Sequence, residues 1–328
     1  MSQGCLPAWR GAEIRSIRFP VLALCGCREL SARFPALRRV MSVSTIASPP
    51  GQKMAPSTLH MRGRTIALGP HALVMGIINV TPDSFSDGGL SLAAADALAH
   101  AQRLETEGAD MLDVGGESTR PGHTPLSADE EWARLAPVLE GLSRNSALPI
   151  SVDTYKAEVA RRALAQGAHI VNDIWGFAHN ADMPHVVADF DAAAIVMHNR
   201  VEIDPALDII ADMLAFFERA ITRAENAGLP RERLVLDPGI GFGKSFEQNL
   251  TALRRLGELR VLGLPLLLGT SRKSFIGKVV ESTPAERLPG TIASNVIGLM
   301  AGVEIIRVHD VAEHVQAARV TEAIRSQP

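Results

Sequence analysis

Polar side chains of the kinds that active sites use stand at or just after the ends of eight short apolar runs in this chain. They are amides, carboxylates, histidines and cations, namely Asn79, Asp113, Asp153, Asn172, His198, Asp237, Lys273, Arg307 and His309. Acids and amides can accept hydrogen bonds from a flat polar ring, and grouped cations can neutralise phosphate oxygens. One such ending would carry little information, whereas eight in succession indicate an enzyme.

The apolar runs also indicate the fold. They are continuous rather than alternating, which is typical of parallel strands that are buried on both faces. The gaps between them are long enough for crossover helices, and one gap contains a capping box at Ser127–Glu130. This order predicts an α/β fold, a closed (β/α)8 or TIM barrel, in which the carboxyl ends of all strands meet at one face. A doubly wound open sheet is the alternative, but its single switch point would leave several polar endings unused.

Composition and charge exclude several classes of protein. A hydrophobic content of 46% and a charged content of 21% are typical of a soluble globular protein. Residues 1–60 hold eight basic and two acidic side chains, so the rest of the chain is acidic, which argues against a nucleic-acid partner. No apolar run approaches the ~20 residues that cross a bilayer, so no membrane partner is expected. The three cysteines precede residue 28, which excludes a disulfide framework or a thiolate metal site in the remainder.

The first sixty residues differ from the rest of the chain. They are rich in Arg and Pro and show no sustained helical or strand period. One interpretation is an Arg-rich targeting leader, and the other is an unstructured extension translated from an upstream start codon. Met41, Met54 and Met61 could each be the true start. We favour the extension, and predict residues 1–60 as an unstructured extension or leader and residues 61–328 as one barrel domain.

Two glycine-rich segments follow the first two apolar runs. Residues 79–89 form a predicted mobile loop, in which Asp83 and Asp87 could offer hard oxygen ligands to Mg2+. The alternative for this segment is an ordinary solvated turn. In residues 115–122, glycines permit close backbone approach, and Thr119 and Arg120 suit an anionic group. Asp113 precedes this second segment and is predicted to be a buried carboxylate, which in proteins is paired or functional.

The segment Asp237–Ser245 (DPGIGFGKS) is similar in sequence to a phosphate-binding loop. Pro238 stands where that motif requires a glycine six residues before Lys244, so the nucleotide interpretation fails. Cations instead follow the last two runs, at Lys273 and Arg307, where barrels commonly hold phosphate groups. His198 is equally compatible with a packed core position and with a ligand contact. The combination predicts displacement of a diphosphate from a carbon attached to a heterocycle.

From about Val74 to the C-terminus the sequence resembles the bacterial dihydropteroate synthases, a family of pterin-binding TIM barrels. The motifs that carry the resemblance are Met75–Gly89 (MGIINVTPDSFSDGG), Asp113–Gly122 (DVGGESTRPG), Asp237–Lys244 (DPGIGFGK), Ser271–Ser274 (SRKS) and Arg307–His309 (RVH). The resemblance covers about four fifths of the chain.

The resemblance implies a transferase of folate biosynthesis that joins 7,8-dihydropterin-6-ylmethyl diphosphate to 4-aminobenzoate and releases diphosphate. It implies catalytic roles for Asp113, Lys273, Arg307 and His309, and a Mg2+ cofactor at Asn79 and Asp87. Substrate contacts are implied for Thr119, Arg120, Asp153, Asn172, Asp237, Phe242, Lys273, Ser274, Arg307 and His309. It further implies a cytoplasmic homodimer that sulfonamides inhibit.

Two other functions remain open from the sequence. A pterin-dependent methyltransferase barrel would share Asp153, Asn172 and Asp237, but it has no diphosphate to bind, which leaves Arg307 and Lys273 without a purpose. A pterin-binding paralogue without turnover would retain the pocket and release no product. Binding of pterin diphosphate without product release would identify the second.

Overall fold

The computed structural model describes residues 57–69, 71–80, 87–117 and 124–327. The described strands are β1 Ser57–Met61, β2 Arg64–Leu68, β3 Leu73–Asn79, β4 Met111–Gly115, β5 Ile150–Asp153, β6 Ile170–Asp173, β7 Ala193–Met197, β8 Leu234–Asp237, β9 Leu267–Leu268 and β10 Ile305–Val308. The described α-helices are α1 Asp87–Thr106, α2 Ala128–Asn145, α3 Ala157–Gln166, α4 Met183–Asp189, α5 Ile209–Asn226, α6 Phe246–Arg254, α7 Ser274–Val280, α8 Leu288–Met300 and α9 Val311–Arg325.

Strands β3–β10 form one parallel sheet that closes on itself. Their spatial order is β8-β7-β6-β5-β4-β3-β10-β9. A parallel bridge between Leu236 and Leu266 joins the two ends of this order, and the Leu236 amide donates to the Pro265 carbonyl at 2.9 Å. Helices occupy the connections between successive strands. The predicted (β/α)8 barrel is confirmed, and the open doubly wound sheet is excluded because this sheet has no pair of free edges.

Side chains alternate between the two faces of each barrel strand, as the period of two requires. One set packs between the sheet and the helices, as Val74, Leu112 and Val171 do. The other set points into the barrel, where a second apolar cluster includes Met75 and Met111. Two residues further along the strands the side chains again point into the barrel, and the polar side chains of the predicted site are among them.

The hairpin of β1 and β2 closes the amino-terminal end of the barrel. Its strands pair antiparallel, and the buried side chains of Leu59, Met61 and Leu68 join the inward-facing apolar cluster. The hairpin begins at Ser57, inside the segment 1–60 that we predicted to be an extension, so residues 57–60 belong to the folded part. The domain boundary at residue 61 was therefore placed too late. Residues 1–56 lie outside the described part of the chain.

The helices begin and end where local chemistry favours it. The predicted capping box is present at the start of α2, where the Glu130 amide donates to Ser127 Oγ at 3.2 Å and the Ser127 amide donates to Glu130 Oε2 at 2.8 Å. Gly108, with a φ of 98°, follows the end of α1 in the backbone region that glycine tolerates. None of the helices in the described ranges is long and apolar enough to span a membrane.

Candidate active site

Five inward-facing polar residues gather at the carboxyl end of the barrel. They lie on β4, β5, β6, β8 and β10 and are Asp113, Asp153, Asn172, Asp237 and Arg307. The strand register brings them together, because Asp153 pairs with Asn172 and Met197 pairs with Asp237 across neighbouring strands. Gly115 and Gly269 share the inward parity but have no side chain, which leaves space at this end of the barrel.

Arg307 joins two of the carboxylates. Its Nε donates to Asp113 Oδ2 at 2.6 Å, and its Nη2 donates to Asp153 Oδ2 at 2.8 Å. The Asp113 side chain is fully buried and the Arg307 side chain is 20% exposed, so these pairs are largely removed from water. Because a guanidinium has N–H donors besides these, Arg307 can also donate to a bound anion.

Two buried oxygen acceptors next to Arg307 have no hydrogen-bond partner among the described residues. Asn172 Nδ2 donates to Asp113 Oδ2 at 3.1 Å, which fixes both side chains. The other oxygen of each group, Asp113 Oδ1 and Asn172 Oδ1, is buried and unpaired. Leaving a buried acceptor unpaired costs roughly 1–3 kcal/mol, so this arrangement is suited to a ligand that brings N–H donors.

Asp237 faces this group from the end of β8. Its Oδ1 accepts from the Gly239 amide at 2.7 Å. Lys273, which follows β9, extends toward the same place, donates from Nζ to the Ile240 carbonyl, and lies 4.5 Å above the centroid of the Phe242 ring. The two predicted substrate contacts, Asp237 and Phe242, are therefore neighbours of Lys273.

Burial shifts the pKa values of these groups in directions that reduce their charge. It raises the pKa of Asp153 to about 7, against the attraction of Arg307. It also raises the pKa of Asp237, against the attraction of Lys273, and lowers the pKa of Lys273 to about 8. Burial likewise opposes the charged form of Arg307, but attraction to Asp113 and Asp153 outweighs it and raises that pKa. Such shifts are typical of functional sites.

His309 and Ser271 connect the ends of β10 and β9. Ser271 Oγ lies 2.8 Å from His309 Nδ1, and the His309 amide donates to the same Oγ at 3.2 Å. Ser274 follows as the first residue of α7 and is exposed. These positions place the predicted diphosphate contact His309 beside the segment that contains Lys273.

The predicted metal ligands are only partly described. Asn79 is the last residue of β3 and is exposed at the carboxyl end of the barrel, where its amide oxygen can coordinate a hard cation. Asp87 is the first residue of α1, and its side chain lies outside what the structure describes. Asp83, Thr119 and Arg120 also lie outside the described residues. Among those that are described, no three His, Cys, Asp or Glu side chains form a metal-binding group.

His198 is a core residue. It is fully buried, its Nε2 lies 3.0 Å from Asp212 Oδ2, and its ring packs edge-on against Phe216 at a centroid distance of 5.0 Å. Burial lowers its pKa to about 3, and the nearby Lys244 ammonium acts in the same direction. The ligand-contact interpretation of His198 is therefore not supported.

Sequence reasoning missed a group of charged residues beside the site. Lys156 donates from Nζ to Glu117 Oε2 and, at 2.6 Å, to Glu131 Oε2. Glu117 also accepts from the Tyr155 hydroxyl at 2.8 Å and from the Leu126 amide at 3.2 Å. The signal in the sequence was the position of Glu117 and Lys156, each a few residues after a strand end.

A second missed feature lies behind the segment that follows β9. Helix α8 presents buried polar side chains to it, where helices usually present apolar ones. Thr270 Oγ1 donates to Asn295 Oδ1 at 2.8 Å, and the Arg272 amide donates to Thr291 Oγ1 at 3.1 Å. Arg272 itself has a φ of 57°, so these contacts hold a backbone conformation that side chains other than glycine seldom adopt.

Comparison with known proteins identifies the family. The family described as "Pterin binding enzyme" matches residues 75–309. The chain belongs to the pterin-binding enzyme family. A relative from Clostridium beijerinckii named dihydropteroate synthase is 44% identical over 258 residues, which is 78% of this chain and 96% of that protein.

Solved structures of this pterin-binding family agree with that assignment. A dihydropteroate synthase from Clostridium difficile, determined in the presence of pteroic acid, is 50% identical with a TM-score of 0.77, covering 79% of this chain and 99% of that one. A dihydropteroate synthase from Yersinia pestis in a sulfonamide drug complex is 42% identical with a TM-score of 0.76, covering 82% and 99%. The resemblance inferred from the motifs is confirmed at the level of family and fold.

Proposed function

We propose that this chain condenses 7,8-dihydropterin-6-ylmethyl diphosphate with 4-aminobenzoate to give 7,8-dihydropteroate and diphosphate. The chain is a dihydropteroate synthase, a transferase of folate biosynthesis, as its curated relatives are. The observation that carries the substrate assignment is the pair of buried, unpaired acceptors Asp113 Oδ1 and Asn172 Oδ1 beside Arg307. They suit the N–H-rich edge of a pterin, and Asp237 supplies a further acceptor from the opposite strand.

The same acceptors would give the pocket its selectivity. A ring without matching N–H groups would leave Asp113 Oδ1 and Asn172 Oδ1 buried and unpaired. Sites that hydrogen-bond a substrate in this way reject analogues without the donors by factors of about 10⁴. The methyltransferase alternative shares these acceptors, but Arg307, Lys273 and His309 favour a substrate that also carries phosphate.

The reaction breaks the bond between the pterin methylene carbon and a diphosphate oxygen and forms a bond from that carbon to the arylamine nitrogen. The N–H proton of the amine passes to solvent or to the departing diphosphate. Arg307 and His309 would stabilise the negative charge that grows on the diphosphate, and the carboxylate of Asp113 would stabilise positive charge on the pterin. A neutral arylamine needs no strong general base, and the one His–carboxylate contact described above at this end of the barrel, His198 with Asp212, is buried in the core away from the proposed pocket.

Mg2+ fits as the cofactor at Asn79. A protein usually holds this ion through one or two oxygen ligands, and substrate phosphates supply others. The exposed side-chain amide of Asn79 would supply one such ligand, and Asp87 would supply the second. When bound, Mg2+ would neutralise diphosphate charge.

The aminobenzoate would bind beside Phe242 and Ser274, with Thr119 and Arg120 completing its surroundings. Sulfonamides would compete for the same position, since the Yersinia pestis relative forms a sulfonamide drug complex. Titration of the enzyme with a sulfonamide at several 4-aminobenzoate concentrations tests this. A competitive pattern is expected, and inhibition that is independent of 4-aminobenzoate would contradict it.

We also propose that the chain forms a homodimer in the cytoplasm. Helices α8 and α9 expose apolar side chains, with Ile297 and Met300 on one face of α8 and Val320 and Ile324 on one face of α9. Arg325 Nη1 donates to the Leu299 carbonyl at 2.9 Å, so the carboxyl ends of the two helices adjoin. Light scattering of the wild type and an Ile297→Glu, Val320→Glu double variant tests the interface: the wild type should have twice the variant's mass.

Product formation by the full chain tests the activity. Dihydropteroate and diphosphate should appear in equal amounts when both substrates and Mg2+ are present, and neither should appear when one component is omitted. Binding of pterin diphosphate without diphosphate release would instead identify a non-catalytic pterin-binding paralogue.

A further inference from the structure

Lys244 points into the protein, toward backbone carbonyls. Its Nζ donates to the carbonyls of His198 at 3.2 Å, Gly239 at 2.8 Å and Phe242 at 2.9 Å. These three carbonyls match the N–H donors of an ammonium group, so none is left for a ligand. Lys244 is only 5% exposed. The segment Asp237–Ser245, which we call the glycine turn, therefore uses its lysine to bind its own backbone.

The glycine turn packs directly against the segment that follows β7. Gly239 has a φ of 62°, and a Cβ there would lie 2.0 Å from the His198 carbonyl oxygen. Gly243 has a φ of 56°, and a Cβ there would lie 2.4 Å from the Arg200 carbonyl oxygen. Only glycine permits this approach. Lys244 bonds carbonyls on both sides of the contact, and so ties the two segments together.

The opposite side of the glycine turn faces the active site. The Ile240 carbonyl accepts from Lys273 Nζ, and the Phe242 ring lies under the same ammonium group. A second buried side chain, Asn249 of α6, holds the middle of the turn, where its Oδ1 accepts from the Gly241 amide at 2.6 Å. Lys244 and Asn249 therefore contact the side of the turn that faces the protein interior. Phe242 and Lys273 lie on the side that faces the active site.

Asp237, the first residue of the glycine turn, depends less on Lys244 than Phe242 does. Its backbone belongs to β8, and its carbonyl accepts from the His198 amide at 2.9 Å, so the barrel itself positions it. Phe242 lies beyond the strand, and its backbone carbonyl is bonded directly to Lys244. Loss of Lys244 should consequently displace Phe242 more than Asp237.

We propose that Lys244 is a positioning residue that fixes the glycine turn, and thereby Phe242, for binding of the arylamine substrate. The proposal rests on the proposed function, in which Phe242 borders 4-aminobenzoate and Asp237 contacts the pterin. In this proposal, the Gly-x-Gly-x-Gly-Lys pattern of this chain serves to shape the binding site of the arylamine. Asn249 is a second positioning residue of the same turn.

Steady-state kinetics of Lys244→Met in the full chain tests this proposal. The substitution keeps the apolar stem and removes the three donors. We expect the KM for 4-aminobenzoate to rise at least tenfold, kcat to fall less than threefold, and the Kd of pterin diphosphate, measured by calorimetry, to change less than threefold. Lys278→Met, at an exposed lysine of α7, is the matched control and should leave all three unchanged.

Asn249→Ala provides an independent readout in case Lys244→Met unfolds. It removes the other anchor of the glycine turn and should give the same selective rise in the KM for 4-aminobenzoate. Equal rises in the KM for 4-aminobenzoate and the Kd of pterin diphosphate, or an unchanged KM in whichever variant is folded, would overturn the proposal. Failure of the wild type to form dihydropteroate would instead overturn the proposed function.

Discussion

Replacing Asp153 by Asn should make the protein more stable and less active. The pKa of Asp153 in the folded chain is about 7, against an ordinary value of 3.8, and at about 1.36 kcal/mol per pH unit its ionisation costs the folded state up to about 4 kcal/mol. Because the pKa of Asp153 is higher in the folded than in the unfolded chain, the contribution of this group to stability is complete below pH 3.8. That contribution is lost as the pH rises to 7. Asn has no charge to bury, and its side-chain oxygen can still accept from Arg307.

The stability of Asp153→Asn is therefore expected to depend on pH in a characteristic way. At pH 8 its free energy of unfolding in urea should exceed that of the wild type by an amount approaching 4 kcal/mol. At pH 4, where the wild-type carboxyl is protonated, the two proteins should agree. Turnover should fall strongly, because the pterin loses a charged hydrogen-bond acceptor. Active-site substitutions that raise stability commonly lower activity in this way.

Asp189→Asn is the control for this prediction. Asp189 lies at the surface with a side chain 58% exposed and a 3.4 Å contact to Arg161, so its replacement should change stability by less than about 1 kcal/mol at either pH. Equal or lower stability of Asp153→Asn at pH 8 would refute the reasoning, as would a gain that persists unchanged at pH 4.

Two further predictions concern stability. The Ile150 amide donates to His169 Nδ1 at 3.2 Å, and burial lowers the pKa of His169 to about 4, so stability is complete above pH 6.5 and is lost as the pH falls toward 4. His169 is partly exposed, so solvent screening reduces the effect: His169→Gln should lose less stability than the wild type over this interval in urea titrations, by at most about 3 kcal/mol. Identical pH profiles would contradict this. Leu59→Ala, in the hairpin that closes the barrel, should lower the free energy of unfolding by about 2–5 kcal/mol, because Leu59 is fully buried; a loss below about 1 kcal/mol would mean that the hairpin does not close a packed core.

The barrel and the identities of its polar strand ends were predictable because both follow from one regularity. A buried parallel strand is a continuous apolar run, and a polar residue that ends such a run lies at the carboxyl face. Asp113, Asp153, Asn172, Asp237 and Arg307 all meet this description, and the structure brings them together. The closing hairpin was missed because β2 is largely exposed and carries no such run.

The direction of side chains beyond the strand ends was not predictable. Lys244 and Lys273 both lie a few residues after a strand end, yet Lys244 donates only to backbone carbonyls behind the site, whereas Lys273 extends into the site. His198 ends a run as Asp237 does, but its strand parity turns it toward α5. Sequence spacing places a residue near the barrel end, whereas packing against the next loop determines which way it points.

Arg307 is the residue on which the account of the chemistry depends most. It lies between two buried carboxylates and adjoins the unpaired acceptors assigned to the pterin. Arg307→Lys keeps a positive charge but loses the planar fork that bonds Asp113 and Asp153 simultaneously. Arg161→Lys, at the surface, is the matched control.

The most direct test is the rate of diphosphate release from pterin diphosphate, in the presence of Mg2+ and 4-aminobenzoate, by the wild type and these two variants. We expect release by the wild type and Arg161→Lys, and a loss of at least 100-fold in Arg307→Lys with its circular dichroism spectrum unchanged. Undiminished release by folded Arg307→Lys would contradict the assignment of this site.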